Sequence, residues 1–146
     1  MSDKKLILIA EDDPDDRFMI NEAFQENDIR DEVMFFDNGE ELHKYLVKPD
    51  EETGRKEPSL IMLDLNMPRM DGKTVLKKIR NCSTLNHVPV VILTTSKSLE
   101  DKKNIIRLGG ADFYTKPSSF KELVNITAAI LNKWVNTDLS IKNSEL

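Results

Sequence analysis

The sequence is short of cysteine, of long apolar runs and of clustered positive charge. Its single cysteine, Cys82, can form no internal disulfide, and no apolar run among its 146 residues is long enough to cross a bilayer. The first residues lack the form of a signal peptide, so we expect a cytoplasmic protein without membrane contact. With a formal net charge of -5 at pH 7 and no block of Lys or Arg, duplex nucleic acid is not an expected partner.

Glycine is scarce as well, and none directly follows the first predicted strand, residues 6–10. A flavin- or dinucleotide-binding module needs a glycine-rich turn at that point, so that a phosphate can approach the backbone. Here Glu11, Asp12 and Asp13 occupy the turn and would repel a phosphate. The sequence therefore argues against a nucleotide-binding module. Flavin colour or affinity for a nucleotide would contradict this prediction.

What the sequence does contain is a regular alternation of apolar runs and stretches of helical periodicity. The run at residues 59–64 stays apolar until it ends on Asp64, which is typical of a strand buried on both faces. Further strands are predicted at residues 6–10, 33–36, 90–93 and 111–115, and helices are predicted to start near Pro14, Gly39, Lys73, Leu99 and Ser118. This alternation predicts one α/β domain, residues 1–136, with a parallel sheet covered on both faces. A polar tail follows at 137–146.

Apolar residues at helical spacing predict which side of each helix is buried. The predicted sets are Ile20, Ala23 and Phe24; Leu42, Tyr45 and Leu46; Val75, Leu76 and Ile79; and Phe120, Leu123, Val124, Ile130, Leu131 and Trp134. The end of the last set could instead contribute to a dimer face. The polar loop at residues 48–58 is long for this architecture, and the sequence does not indicate its role.

Four of the five predicted strands end in polar residues: Glu11 and Asp12, Asp64, Thr94, and Lys116. Open α/β sheets bind ligands at the carboxyl ends of their strands, so we expect these side chains to converge if the first and third strands are neighbours. Clustered carboxylates repel one another and need positive charge to stay ionised. Lys116 supplies one charge. A Mg²⁺ ion is the natural second, since few carboxylates, a phosphate oxygen and waters suit it better than Ca²⁺.

An aspartate, Mg²⁺, a lysine and a hydroxyl are what phosphoryl transfer needs. Asp64 would attack in line, the metal and Lys116 would neutralise charge, and Thr94 could donate to the product phosphate. Each feature alone has an ordinary explanation: an acidic helix entry, a loop aspartate, a surface lysine. Their joint occurrence at strand ends favours the functional interpretation.

Taken together, these motifs resemble the receiver domain of two-component response regulators. The resemblance runs from about Lys5 to Trp134 and is carried by residues 11–13, 63–72, 93–96 and 114–117. It implies a flavodoxin-like doubly wound sheet of five parallel strands in the order 2-1-3-4-5. It also implies that a sensor histidine kinase phosphorylates Asp64, and that the protein is not an enzyme beyond self-directed phosphotransfer and slow autodephosphorylation.

The resemblance also implies a role for each site residue. Asp12 and Asp64 would bind Mg²⁺ directly, Asn66 through its backbone carbonyl and Glu11 through water. Lys116 and Thr94 would bind the phosphoryl group, and Thr94 would form a two-state switch with Phe113. The Lys116–Pro117 bond is expected to be cis. Glu11 stands where aspartate is commoner, and the additional aspartates at 13, 15 and 16 leave the ligand set less certain.

The loop at 48–58 and the segment at 65–72 are similar to those of stand-alone regulators that serve bacterial phytochromes, which implies a phytochrome-type kinase. Only one predicted helix and a short tail follow Pro117, so we expect no output domain. Output would then be a contact of the fourth helix, fifth strand and last helix with a downstream protein, and the same face could form a homodimer. The alternative, a Mg²⁺-dependent aspartyl-phosphate phosphatase, needs an acid two residues after its nucleophile, where this chain has Asn66.

Overall fold

A computed structural model describes residues 4–48 and 57–136. Most of the polar loop at 48–58 and all of the tail at 137–146 lie outside the described residues. Among the described residues, five strands alternate with five helices. The strands are β1 (Leu6–Ala10), β2 (Glu32–Phe36), β3 (Leu60–Leu63), β4 (Val90–Thr94) and β5 (Asp112–Thr115). They form one parallel sheet in the order β2-β1-β3-β4-β5, which confirms the predicted fold class and strand order.

Each helix begins directly after a residue whose side chain caps it, which explains where the helices start. The helices are α1 (Pro14–Glu26), α2 (Gly39–Leu46), α3 (Gly72–Arg80), α4 (Leu99–Arg107) and α5 (Phe120–Ile130), and a π-helical turn (Leu131–Val135) continues α5. Their N-caps are Asp13, Asn38, Asp71, Ser98 and Ser119, each accepting a hydrogen bond from a backbone amide in the first turn. Helix α4 ends two residues before Gly109, whose positive φ of 99° is the conformation that a glycine C-cap supplies.

The core consists of two apolar layers, one on each face of the sheet. Every residue of β1, β3 and β4 is buried, so these strands contribute to both layers. Helices α1 and α5 cover one face, and α2, α3 and α4 cover the other. Among the residues described, no helix is both long and apolar enough to span a bilayer.

Most of the predicted buried faces are confirmed, with one clear exception at Phe120. Tyr45, Val124 and Trp134 are half-buried against the core, whereas the ring of Phe120 is 37% exposed. Phe120 is the first residue of α5 and lines a surface cavity rather than the core. The predicted cis Lys116–Pro117 bond is also wrong, because no described peptide bond is cis. The trans form is the lower-energy isomer of a bond that precedes proline.

Candidate functional site

The strand register explains why distant residues meet at one edge of the sheet. Ala10 of β1 pairs with Leu63 of β3, so Glu11 and Asp64 leave neighbouring strands at the same level. On the other side Leu63 pairs with Ile92, and Thr94 of β4 pairs with Thr115 of β5. The polar residues that follow or end these strands therefore lie at one carboxyl edge, as predicted.

An acidic pocket lies at this edge. One carboxylate oxygen from each of Glu11, Asp12 and Asp64 lies within 4.8 Å of the others. Glu11 and Asp64 are buried and Asp12 is exposed, so the pocket opens toward solvent on the Asp12 side. Three carboxylates at this spacing form an oxygen donor set that fits a hard divalent cation. The carboxylates of Asp12 and Asp64 are thus close enough to share one ion.

Backbone amides help to hold two of these carboxylates. The Asp13 amide donates to Glu11 Oε2 at 3.1 Å, and the Asn66 amide donates to Asp64 Oδ1 at 3.3 Å. The Asn66 side chain is exposed at the rim of the pocket. One carboxylate oxygen of Asp64 therefore accepts a hydrogen bond from an amide, and the other oxygen can contact a cation.

That cation in the described structure is Lys116, whose ammonium contacts three carboxylates. Its Nζ lies 2.7 Å from Glu11 Oε1, 2.7 Å from Asp16 Oδ2 and 3.1 Å from Asp64 Oδ2. An ammonium has three N–H donors, and here each has a carboxylate oxygen within reach. Burial lowers the pKa of Lys116, but the hydrogen bonds to Asp16 and Glu11 and the nearby negative charges together raise it above its ordinary value.

Burial in this pocket disfavours the ionised form of Glu11. Burial raises the pKa of Glu11 to about 7, although its hydrogen bond and charge interaction with Lys116 and the Asp13 amide act in the opposite direction. Lys116 alone thus leaves negative charge in the pocket incompletely balanced. A divalent ion between the carboxylates would supply the missing positive charge.

Thr94 and Phe113, the predicted switch residues, lie on β4 and β5, the two strands next to β3 at this end of the sheet order. Thr94 is fully buried, its hydroxyl accepts from the Ser96 amide at 3.4 Å, and its carbonyl accepts from the Lys116 amide at 2.6 Å. Phe113 pairs with Ile92 and is buried in the layer under α2, α3 and α4. The two residues are therefore on adjacent strands, with Thr94 bonded through its carbonyl to the backbone of Lys116 and Phe113 in the core.

Two residues near the site were not assigned a role from the sequence. Asp16 pairs with Lys116, and Arg17 donates to the Glu11 carbonyl at 2.9 Å while its guanidinium lies 2.9 Å from Asp37. Asp16 looked like an ordinary acidic residue suited to the helix dipole.

Comparisons with known proteins agree with this site and fold. The family model of the response regulator receiver domain matches residues 7–128. Response regulator Rcp1 of Synechocystis is 32% identical over 91% of this chain and 90% of its own. Its Mn²⁺-bound crystal structure matches with a TM-score of 0.81, covering 91% of this chain and 96% of that one.

Two further solved structures are similar along almost their whole length. The phosphorylated cyanobacterial phytochrome response regulator RcpA is 34% identical, with a TM-score of 0.83 over 92% of this chain and 96% of its own. RPA3017, a response regulator in red light signalling of R. palustris, is 28% identical with a TM-score of 0.82, covering 91% and 95%. With the predicted motifs, strand order and acidic pocket all present, the chain belongs to the response regulator receiver domain family.

Proposed function

We propose that this chain is a single-domain response regulator that accepts a phosphoryl group from a sensor histidine kinase onto Asp64. The observation that carries the proposal is the convergence of the carboxylates of Glu11, Asp12 and Asp64, two of which pair with the ammonium of Lys116. A buried aspartate beside a cation and a metal-binding pair is suited to receive a phosphoryl group, because positive charge is in place where negative charge accumulates.

In the proposed reaction a carboxylate oxygen of Asp64 attacks the phosphorus of a phosphohistidine. The new P–O bond forms as the P–N bond breaks, and the electron pair of that bond leaves with the imidazole. Lys116 would donate to a phosphoryl oxygen, and Thr94 would donate from its hydroxyl to the bound group. Asp12 and Asp64, the Asn66 carbonyl and, through water, Glu11 would hold a Mg²⁺ ion, which when bound supplies charge neutralisation.

Phosphorylation would then be reported by the face formed by α4, β5 and α5. We propose that Thr94 and Phe113 exchange between two arrangements and that phosphorylation favours one of them. The surface of α4 supports a contact role, since Leu99 is 65% exposed and Ile106 is 48% exposed. The partner would be a downstream protein or a second copy of this chain.

The kinase that we propose is of the phytochrome type. The support is the similarity to RcpA, named as a phytochrome response regulator, and to RPA3017, named for red light signalling. The phosphatase alternative is disfavoured because Asn66, two residues after Asp64, cannot act as the acid that protonates a leaving group.

Incubation with acetyl phosphate and Mg²⁺, followed by intact mass, tests the assignment. The wild type should gain the mass of one phosphoryl group, and Asp64→Asn should gain none. Asp71→Asn is a matched control, because Asp71 is an exposed helix cap that should leave the acceptor unchanged. An adduct that persists in Asp64→Asn would assign phosphorylation to another residue, and rapid turnover of phosphate monoesters would instead favour a phosphatase.

A further inference from the structure

Lys116 has one more carboxylate partner than the proposed acceptor site needs. Its Nζ is 2.7 Å from Glu11, 3.1 Å from Asp64 and also 2.7 Å from Asp16, which projects from the first turn of α1. With three N–H groups and three carboxylates, the ammonium has no donor left for a phosphoryl oxygen. One of these ion pairs must therefore open before Lys116 can bind the phosphoryl group.

The exposed fractions of the three carboxylates indicate which pair opens at least cost. The side chains of Glu11 and Asp64 are 2% and 8% exposed, whereas that of Asp16 is 37% exposed. A buried carboxylate that loses its cation keeps an uncompensated charge, but a part-exposed one can be solvated by water. Asp16 is also on the wall of a surface cavity of about 200 Å³ that Lys116 lines as well, so water can reach the pair.

We propose that Asp16 is a positioning residue that holds Lys116 in the unphosphorylated protein and competes with the phosphoryl group on Asp64 for the same ammonium. The proposal rests on the proposed function of Asp64 as the acceptor. Lys116 would exchange partners, leaving Asp16 for a phosphoryl oxygen while its pair with Glu11 keeps the ammonium at the site. Asp16 would thus set the affinity of the pocket for the phosphoryl group without touching it.

Removing the Asp16 charge should therefore strengthen binding of a phosphoryl mimic. In Asp16→Asn, Glu11 and Asp64 still hold Lys116, one N–H is released, and one negative charge beside the incoming anion is gone. We expect the apparent dissociation constant of beryllofluoride, measured by ¹⁹F NMR with Mg²⁺ in excess, to fall roughly threefold to fivefold, the effect expected of a part-exposed ion pair.

Two variants separate this role from general electrostatics and from damage to the fold. Asp15→Asn makes the same change in charge one residue earlier, where the carboxylate is exposed and forms no ion pair in the described part of the chain. It should lower the dissociation constant much less than Asp16→Asn. Asp16→Glu keeps a carboxylate within reach of Lys116 and should bind beryllofluoride as the wild type does.

A second readout needs neither metal nor phosphoryl mimic. In chelator-treated protein with ¹⁵N-labelled lysine, the Lys116 Nζ signal should move in Asp16→Asn and stay unchanged in Asp15→Asn. The proposal is contradicted if the two variants bind beryllofluoride alike, if Asp16→Asn binds more weakly, or if the Lys116 signal does not move. Failure of the wild type to accept a phosphoryl group would contradict the proposed function instead, and the Lys116 signal would still report whether Asp16 holds the lysine.

Discussion

Helices α1 and α4 cover opposite faces of the sheet and are anchored to it very differently. Helix α1 buries Ile20, Ala23 and Phe24, and Asn27 at its C-terminal end joins it to α5. Helix α4 buries Ile105 alone and exposes Leu99 and Ile106. The difference indicates that the α1 side holds the acidic pocket rigidly, whereas the α4 side can shift when Thr94 and Phe113 rearrange. Four substitutions test this comparison, from the largest expected loss of stability to the smallest.

Phe24→Ala should give the largest loss, because Phe24 is fully buried between α1 and the sheet. We expect the free energy of unfolding to fall by about 3–5 kcal/mol in urea titrations, the usual cost of deleting a buried ring. Phe18→Ala on the same helix is the control, since Phe18 is 62% exposed, and should cost at most about 0.5 kcal/mol. Equal losses in the two variants would show that α1 is not anchored as described.

Lys116→Met should cost about 2–4 kcal/mol in the presence of a chelator, because it leaves the buried carboxylates of Glu11 and Asp64 without their cation. Adding Mg²⁺ should recover part of the loss, as an ion that binds the folded state alone stabilises it. Lys121→Met, at an exposed lysine on α5, should change neither the free energy of unfolding in chelator nor the effect of Mg²⁺ on it. If Lys116→Met unfolds as the wild type does, Lys116 does not compensate the charge of the buried carboxylates.

Two neighbouring isoleucines on α4 offer a matched pair. Ile105→Ala should lower the free energy of unfolding by about 2–4 kcal/mol and accelerate hydrogen exchange of α4 amides first, because α4 loses its single buried side chain. Ile106→Ala should stay within about 0.5 kcal/mol of the wild type. If exchange accelerates equally in α1 and α4 of Ile105→Ala, α4 does not open as a separate unit.

Asn27→Ala should give the smallest loss of the four, about 1–2 kcal/mol. The Asn27 amide donates to the carbonyls of Ala23 and Val124 and to the Thr127 hydroxyl, at 3.1, 3.1 and 2.8 Å. Asn125→Ala, at an exposed position of α5, is the control and should be nearly neutral. A neutral Asn27→Ala would mean that apolar packing alone joins α1 to α5.

The strands, the helices and the layers of the fold could be predicted from the sequence, because buried parallel strands and amphipathic helices have distinct periodicities. The strand order was implied by the resemblance to receiver domains. The convergence of Glu11, Asp12, Asp64, Thr94 and Lys116 could be predicted for a related reason, as parallel strands end at one edge. Contacts between side chains could not. Asp16 and Asp15 look alike in sequence, and only the direction of each side chain from α1 decides which of them meets Lys116.

The two wrong expectations also have local causes. Phe120 continued an apolar pattern, but it is the first residue of α5 and its side chain is exposed. The cis bond before Pro117 was implied by resemblance and by nothing in the flanking residues. Both errors concern the segment that links β5 to α5, where few buried contacts constrain the chain.

The most direct test of the central claim is to follow backbone amide shifts while beryllofluoride and Mg²⁺ are added. If Asp64 receives the phosphoryl group on a rigid α1 side and the signal reaches a mobile α4 side, the largest shifts will fall at Asp64, Thr94 and along α4 and β5. The amides around Phe24 and Asn27 will move little. Shifts concentrated around Phe24 and Asn27, with Thr94, α4 and β5 unchanged, would contradict the account.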